Sequence, residues 1–217
     1  MQRTFLTIIV CTLLSQIQIL GSLGTNDDIH FSNISIPGSL TICSFAQDPS
    51  GLVWIGTENG LYSYDGYRVY PHFQKDSYSN TRIHCIVCDG KGTLFLGSDN
   101  GLLLYNYYQD KFEKCRGNSL EDIRSLLKIG NTIWIGSSQG FYSYNLKNKR
   151  FYKYQSIPLP VYTVITTHGG ILIGSLGGLY LYDLNNKFKS IKIGQGKQPF
   201  VNSLLPDPVK KEIWVGT

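Results

Sequence analysis

Charge is scarce in this sequence. Only 16% of its 217 residues are Asp, Glu, Lys or Arg. The basic side chains are scattered and follow no stripe, so the net charge of +5 does not point to nucleic acid. Histidine and cysteine are also few, at four and five residues. Cys85 and Cys88 form a Cys-x-x-Cys in "HCIVCD". No second Cys pair or His pair completes a zinc site, and no βαβ pattern frames a redox motif. Apolar stretches of helical period and adequate length are missing, and no second hydrophobic span follows the first 24 residues.

Those first residues, "MQRTFLTIIVCTLLSQIQILGSLG", hold a single charge at Arg3, then an apolar stretch from Phe5 to Leu14 and a softer tail to Leu20. Ser22 and Gly24 stand at the −3 and −1 spacing for cleavage after Gly24. The pattern is that of a secretory signal peptide, so the chain is expected to be exported. The alternative of an uncleaved anchor is weaker, because Gln16 and Gln18 interrupt a run already short of the roughly 20 residues a span needs. Cys43, Cys85, Cys88 and Cys115 remain after cleavage, in a compartment where they could oxidise.

What is abundant is glycine (23) and tyrosine (15), and both are arranged. The elements "WIGTENGLYSYD", "LFLGSDNGLLLYN", "IWIGSSQGFYSYN", "ILIGSLGGLYLYD" and "IWVGT" place a glycine at Gly56, Gly97, Gly136, Gly174 and Gly216, spaced by 41, 39, 38 and 42 residues. A second glycine follows four residues later at Gly60, Gly101, Gly140 and Gly178. A period near 40 means a propeller or a helical array. Within each unit the apolar runs are four to six residues long, alternate in polarity and are bounded by Asp, Gly, Pro or Asn, which is strand punctuation. Asn59-Gly60 and Asn100-Gly101 suit tight hairpins. The expected fold is therefore all-β: a β-propeller of four-stranded antiparallel blades, with four full blades and half of a fifth.

Position within the repeat assigns roles. Trp54, Phe95, Trp134, Leu172 and Trp214 are equivalent and are expected to wedge between blades. The glycine two residues on is expected to let the chain turn closely near the hairpin. The pairs Tyr62/Tyr64, Tyr142/Tyr144 and Tyr180/Tyr182 alternate along the third strand as inter-blade core. Cys85 falls in register with Ser44, Ser125, Thr163 and Ser203, a small-residue position, which favours a structural cysteine over a metal or redox one.

The units "ICSFAQDPSGLVWIGTENGLYSYDGYRVY" and "IRSLLKIGNTIWIGSSQGFYSYNLKNKRFYKY" resemble the two-component regulator propeller repeat. Ile42, Asp48, Gly51, Trp54, Ile55, Gly56, Thr57, Gly60, Leu61, Tyr64 and Asp65 fit it closely, and the resemblance runs from Ile42 to Thr217. It implies the periplasmic sensor region of a hybrid two-component system histidine kinase, in a parent anchored in the inner membrane. Many such sensors recognise oligosaccharides. No kinase His box or ATP lid is present in the 217 residues. The expectation is thus an incomplete ring, a fragment of a seven-bladed propeller, with further blades and downstream sensor domains as its partners. A homodimer is left open for the full-length protein. Residues 1–24 are read as signal peptide, 25–40 as an N-terminal segment and 41–217 as propeller repeats. Residues 29–36, "IHFSNISI", alternate in polarity and are expected to form a ring-closing strand.

The ligand face is expected where the hairpins between second and third strands meet the starts of the inner strands. The hairpins contribute Glu58, Asn59, Asp99, Asn100 and Gln139; the strand starts contribute Arg82, His84, Arg124 and Tyr162. Amides and carboxylates near aromatics suit sugar hydroxyls, so the expected ligand is a small oligosaccharide or another periplasmic molecule. No catalytic residue, metal or cofactor is expected. His84 aligns with Cys43 and Arg124, so no repeated histidine set exists to hold a metal. "DPSGLVWIG" has a likeness to the Asp-box of sialidases, but two residues rather than one separate Asp48 from Gly51. A glycosidase or lyase, and a propeller that only docks another protein, are the alternatives weighed.

Overall fold

The computed structural model describes residues 33–36, 38, 41–72, 78, 81–115, 117 and 120–217. The expected signal peptide, and residues 29–32 of the expected ring-closing strand, lie outside the described residues; residues 33–36 belong to no strand.

The first blade is β1 (Ile42–Gln47), β2 (Val53–Thr57), β3 (Gly60–Tyr64) and β4 (Val69–His72). The second is β5 (Ile83–Cys88), β6 (Thr93–Ser98), β7 (Gly101–Asn106) and β8 (Lys111–Lys114). The third is β9 (Ile123–Ile129), β10 (Thr132–Ser137), β11 (Gly140–Asn145) and β12 (Arg150–Tyr154). The fourth is β13 (Val161–Thr167), β14 (Gly170–Ser175), β15 (Gly178–Asp183) and β16 (Phe188–Ile191). The pair β17 (Ser203–Asp207) and β18 (Glu212–Gly216) begins a fifth. Each four-stranded sheet is a plain antiparallel meander in chain order. No helix occurs among the described residues.

The repeat's residue choices have local causes. Thr57, Ser98, Ser137 and Ser175 are buried, and each donates its hydroxyl to the carbonyl three residues on and accepts the amide two residues on. A Thr-to-Ser change keeps that lock, which is why the looser units still form the hairpin. The residue after each lock pair, Gly60 to Gly178, carries a positive φ of 100° to 118°. Asn59 and Asn100 do not, so the strain of the turn sits on the glycine alone. Asp48 closes the preceding turn: it accepts the amides of Ser50 and Leu52, and at 3.2 Å the indole N–H of Trp54.

Inner strands pack side by side, β1 on β5, β5 on β9, β9 on β13 and β13 on β17. The contact layer is Ile83, Ile123, Val161 and Val201, all 0% exposed. Here the structure corrects the expected role of Gly56 and its copies. They have no positive φ and lie within the second strand, away from the turn. A Cβ on Gly97 would stand 2.4 Å from Cys85 Sγ and 2.6 Å from Ile123 Cγ2 of the next blade. The glycine is there for close approach between blades. Cys85 is held against it, and desolvation pushes its thiol up to about 12. Cys43, Cys85, Cys88 and Cys115 form no disulfide.

Candidate functional site

Every inner strand of the four blades breaks register at one place. Ile42 and Ser44 pair with Thr57 and Gly56, which leaves Cys43 unpaired. The same skip leaves out His84, Arg124 and Tyr162 in the next three blades. These are β-bulges, which re-aim a side chain out of the ladder. The residue on either side of the bulge repeats from blade to blade; the bulge residue itself does not.

The bulges stand beside the hairpins, and backbone bonds fix the distance. The amides of Glu58, Asp99, Ser138 and Leu176 donate to the carbonyls of Thr41, Arg82, Asp122 and Pro160 at the starts of their own inner strands. Asp122 N also donates to Asp99 O, which links the second and third blades. One rim results. Arg82 Nη2 lies 3.6 Å from Glu58 Oε2. His84 Nε2 lies 2.5 Å from Asp99 Oδ1 and 3.5 Å from Asp122 Oδ1. Arg124 grips Asp122 through Nε and Nη2 at 2.6 to 3.1 Å. That hydrogen bonding holds the Asp122 carboxyl below its usual range and raises the guanidinium. Arg124 also lies 4.6 Å over the Tyr162 ring, and Tyr162 meets Phe200 edge-on at 4.6 Å.

The structure thus brings together Glu58, Arg82, His84, Asp99, Arg124 and Tyr162 of the sequence-predicted residues. Asn59 and Asn100 are engaged elsewhere. Asn59 Nδ2 donates to Gly38 O, and Asn100 Nδ2 to Thr81 Oγ1, so both tie hairpins to the segment before the inner strand. Gln139 is exposed at its hairpin tip, where its backbone N–H donates to Ser137 Oγ. Sequence reasoning missed Asp122 and Phe200. Asp122 lies in an unrepeated connection, and its signal was its place two residues before Arg124. Phe200 precedes Val201, two residues before β17, and the repeat holds no fixed residue there.

His84, Asp99 and Asp122 also offer three ligand atoms within 4.8 Å of one another, a cluster that repeat alignment alone did not anticipate. Arg124 already engages both oxygens of Asp122, so a cation there would face a guanidinium at the same carboxylate. A cavity of about 250 Å³ lined by Thr93, Leu104, Asn106, Gln109, Lys111 and Glu113 lies at the opposite end of the second blade's strands.

The sequence pattern of the Two component regulator propeller family matches residues 35–59. The chain thus carries the two-component regulator propeller repeat. Two solved structures of the extracellular domain of BT4673 from B. thetaiotaomicron are 35% identical to it, with TM-scores of 0.78 and 0.79. One is described as part of a one component system and the other as part of a hybrid two component system. Both cover 86% of this chain, which spans 26% of theirs. The extracellular domain of BT3049 from the same species shares the fold at 22% identity and a TM-score of 0.69, over 86% of this chain and 29% of its own. No curated protein matches the chain. As a regulator propeller, it builds its blades from repeated residues and its rim from the unrepeated ones.

Proposed function

We propose that this propeller is the ligand-reading part of an exported sensor in a two-component regulatory system, and that its ligand is a saccharide held at the rim. The observation that carries this is the set of bulges. Four blades spend the same irregularity on four different side chains, Cys43, His84, Arg124 and Tyr162, all beside the hairpins. Packing alone would favour the same residue in each. The rim combines guanidinium, imidazole and carboxylates with the Tyr162–Phe200 aromatic pair, a mixture that serves sugar hydroxyls and the apolar face of a pyranose. The signal-peptide pattern and the extracellular placement of the BT4673 domain support export.

Binding fits this rim better than catalysis. A general acid needs a carboxyl raised toward neutrality, and Asp122 is displaced downward by Arg124. Asp99 and Asp122 come within 4.8 Å of each other, but both face His84 and Asp122 is gripped by Arg124, so the pair is tied into ion contacts rather than set as two carboxyls flanking an open cleft. Downstream blades and signalling domains are proposed as the partners that carry the response.

Calorimetric titration of the chain with neutral and acidic oligosaccharides tests the reading. Binding that Tyr162→Ala weakens by about tenfold or more, the scale of one lost stacking contact, is the expected result. No saccharide binding, together with tight binding of a protein to the same face, would favour the docking propeller instead.

A further inference from the structure

Each basic side chain of the rim already faces a carboxylate. Arg82 has Glu58, Arg124 has Asp122, and His84 stands between Asp99 and Asp122. Three acids therefore face two arginines and one imidazole. A ligand carboxylate or sulfate would have to displace one of these acids, leave it uncompensated and sit beside the remaining two, each of which repels it. Hydroxyls meet no such obstacle. They donate to carboxylate oxygens and accept from guanidinium N–H groups without separating the partners. A guanidinium carries five donors, and Asp122 engages only Nε and Nη2 of Arg124. At the other end the rim is apolar: Tyr162 and Phe200 are followed in the fourth-blade hairpin by Leu176, which is exposed where earlier blades place Glu58, Asp99 and Ser138.

We infer that the rim selects an uncharged saccharide and discriminates against uronate- or sulfate-bearing ones. This rests on the saccharide reading above. The test is calorimetry on the full chain with gluco-, galacto- and manno-tetraose, each beside its C6-oxidised uronate counterpart. At least one neutral tetraose is expected to bind, and its uronate at least about tenfold more weakly, as like-charge contact at an interface predicts. A uronate that binds as tightly as its neutral partner, or tighter, overturns the inference while leaving the saccharide reading intact. Silence from both series overturns the saccharide reading and the inference with it. Two variants probe the cause. Asp122→Asn releases Arg124 and Glu58→Gln releases Arg82, and each should narrow the gap between neutral and uronate probes. An unchanged gap in Glu58→Gln and Asp122→Asn proteins with native circular dichroism would overturn the charge-pairing explanation. Should Asp122→Asn fail to fold, Glu58→Gln, whose pair lies at the edge of the rim, decides it.

Discussion

Trp54 and Trp214 hold the same place in the repeat, yet Trp54 is 1% exposed and Trp214 is 58% exposed. The back of the first blade shows the reverse contrast. Phe45 is 62% exposed, while its equivalents Ile86, Leu126, Val164 and Leu204 are at most 9%. Alternate residues of an inner strand point to opposite faces of its sheet. One face of the first blade is covered by the second, where Trp54 packs against Tyr105 and Tyr107. The half-blade β17–β18 has the other face covered, with Val201 and Leu204 buried, and shows Leu205 and Trp214 outward. The same residue is core or surface according to the neighbouring blade alone. Burial in a propeller is thus a property of the interface between repeats rather than of the repeat itself.

The sharpest way to break this comparison is a pair of identical substitutions. Trp54→Ala should cost about 3–5 kcal/mol, as for a large buried aromatic, and Trp214→Ala under about 1 kcal/mol. Chemical denaturation of both variants checks it, and equal losses would refute the interface account. The glycines give a smaller contrast. Gly97→Ala drives a Cβ into Ile123 of the next blade, including its carbonyl at 3.0 Å, and should cost about 1–3 kcal/mol. Gly216→Ala meets only side-chain and Cβ atoms of Ser203 and Asn202, and should cost less, by the same measurement.

A third contrast concerns charge. Asp122 has a depressed pKa through Arg124, so the stability it lends is present above its unfolded value near 3.8 and is lost as pH falls through the lower folded value. The half-exposed pair should be worth about 1 kcal/mol or less. Asp122→Asn should flatten the acid limb of the melting-temperature profile below about pH 4, where carboxylates protonate. An unaltered limb would show that the pair adds nothing. Smallest of all, Phe45→Lys should change stability by under about 0.5 kcal/mol while reducing self-association, since an exposed apolar patch is being removed. Light scattering across a concentration series reads the second effect.

Much of the architecture was legible because repetition is itself a signal. The 40-residue period, the strand order and the hairpin glycines follow from residues that recur. The purpose of Gly56 and its copies did not follow, since a glycine needed for close approach and one needed for a turn look alike in a sequence. The site was half legible. Arg82, His84, Arg124 and Tyr162 could be placed at strand starts by alignment, but nothing in a repeat predicts the bulge that takes His84, Arg124 and Tyr162 out of the ladder.

Sequence alone determined the blade: alternating apolar runs, Thr or Ser locks and Asn-Gly or Gly-Gly turns suffice to specify a four-stranded meander. Tertiary structure decided the rim. Asp99 and Asp122 are 15 and 38 residues from His84 and lie on different connections. They meet because inner strands pack closely enough, over glycine, for a bulge on one blade to reach the hairpin of its own blade and the strand start of the next. Repeat alignment detects what is the same in every blade, whereas a binding site is made of what differs between them, brought within hydrogen-bond reach by that packing.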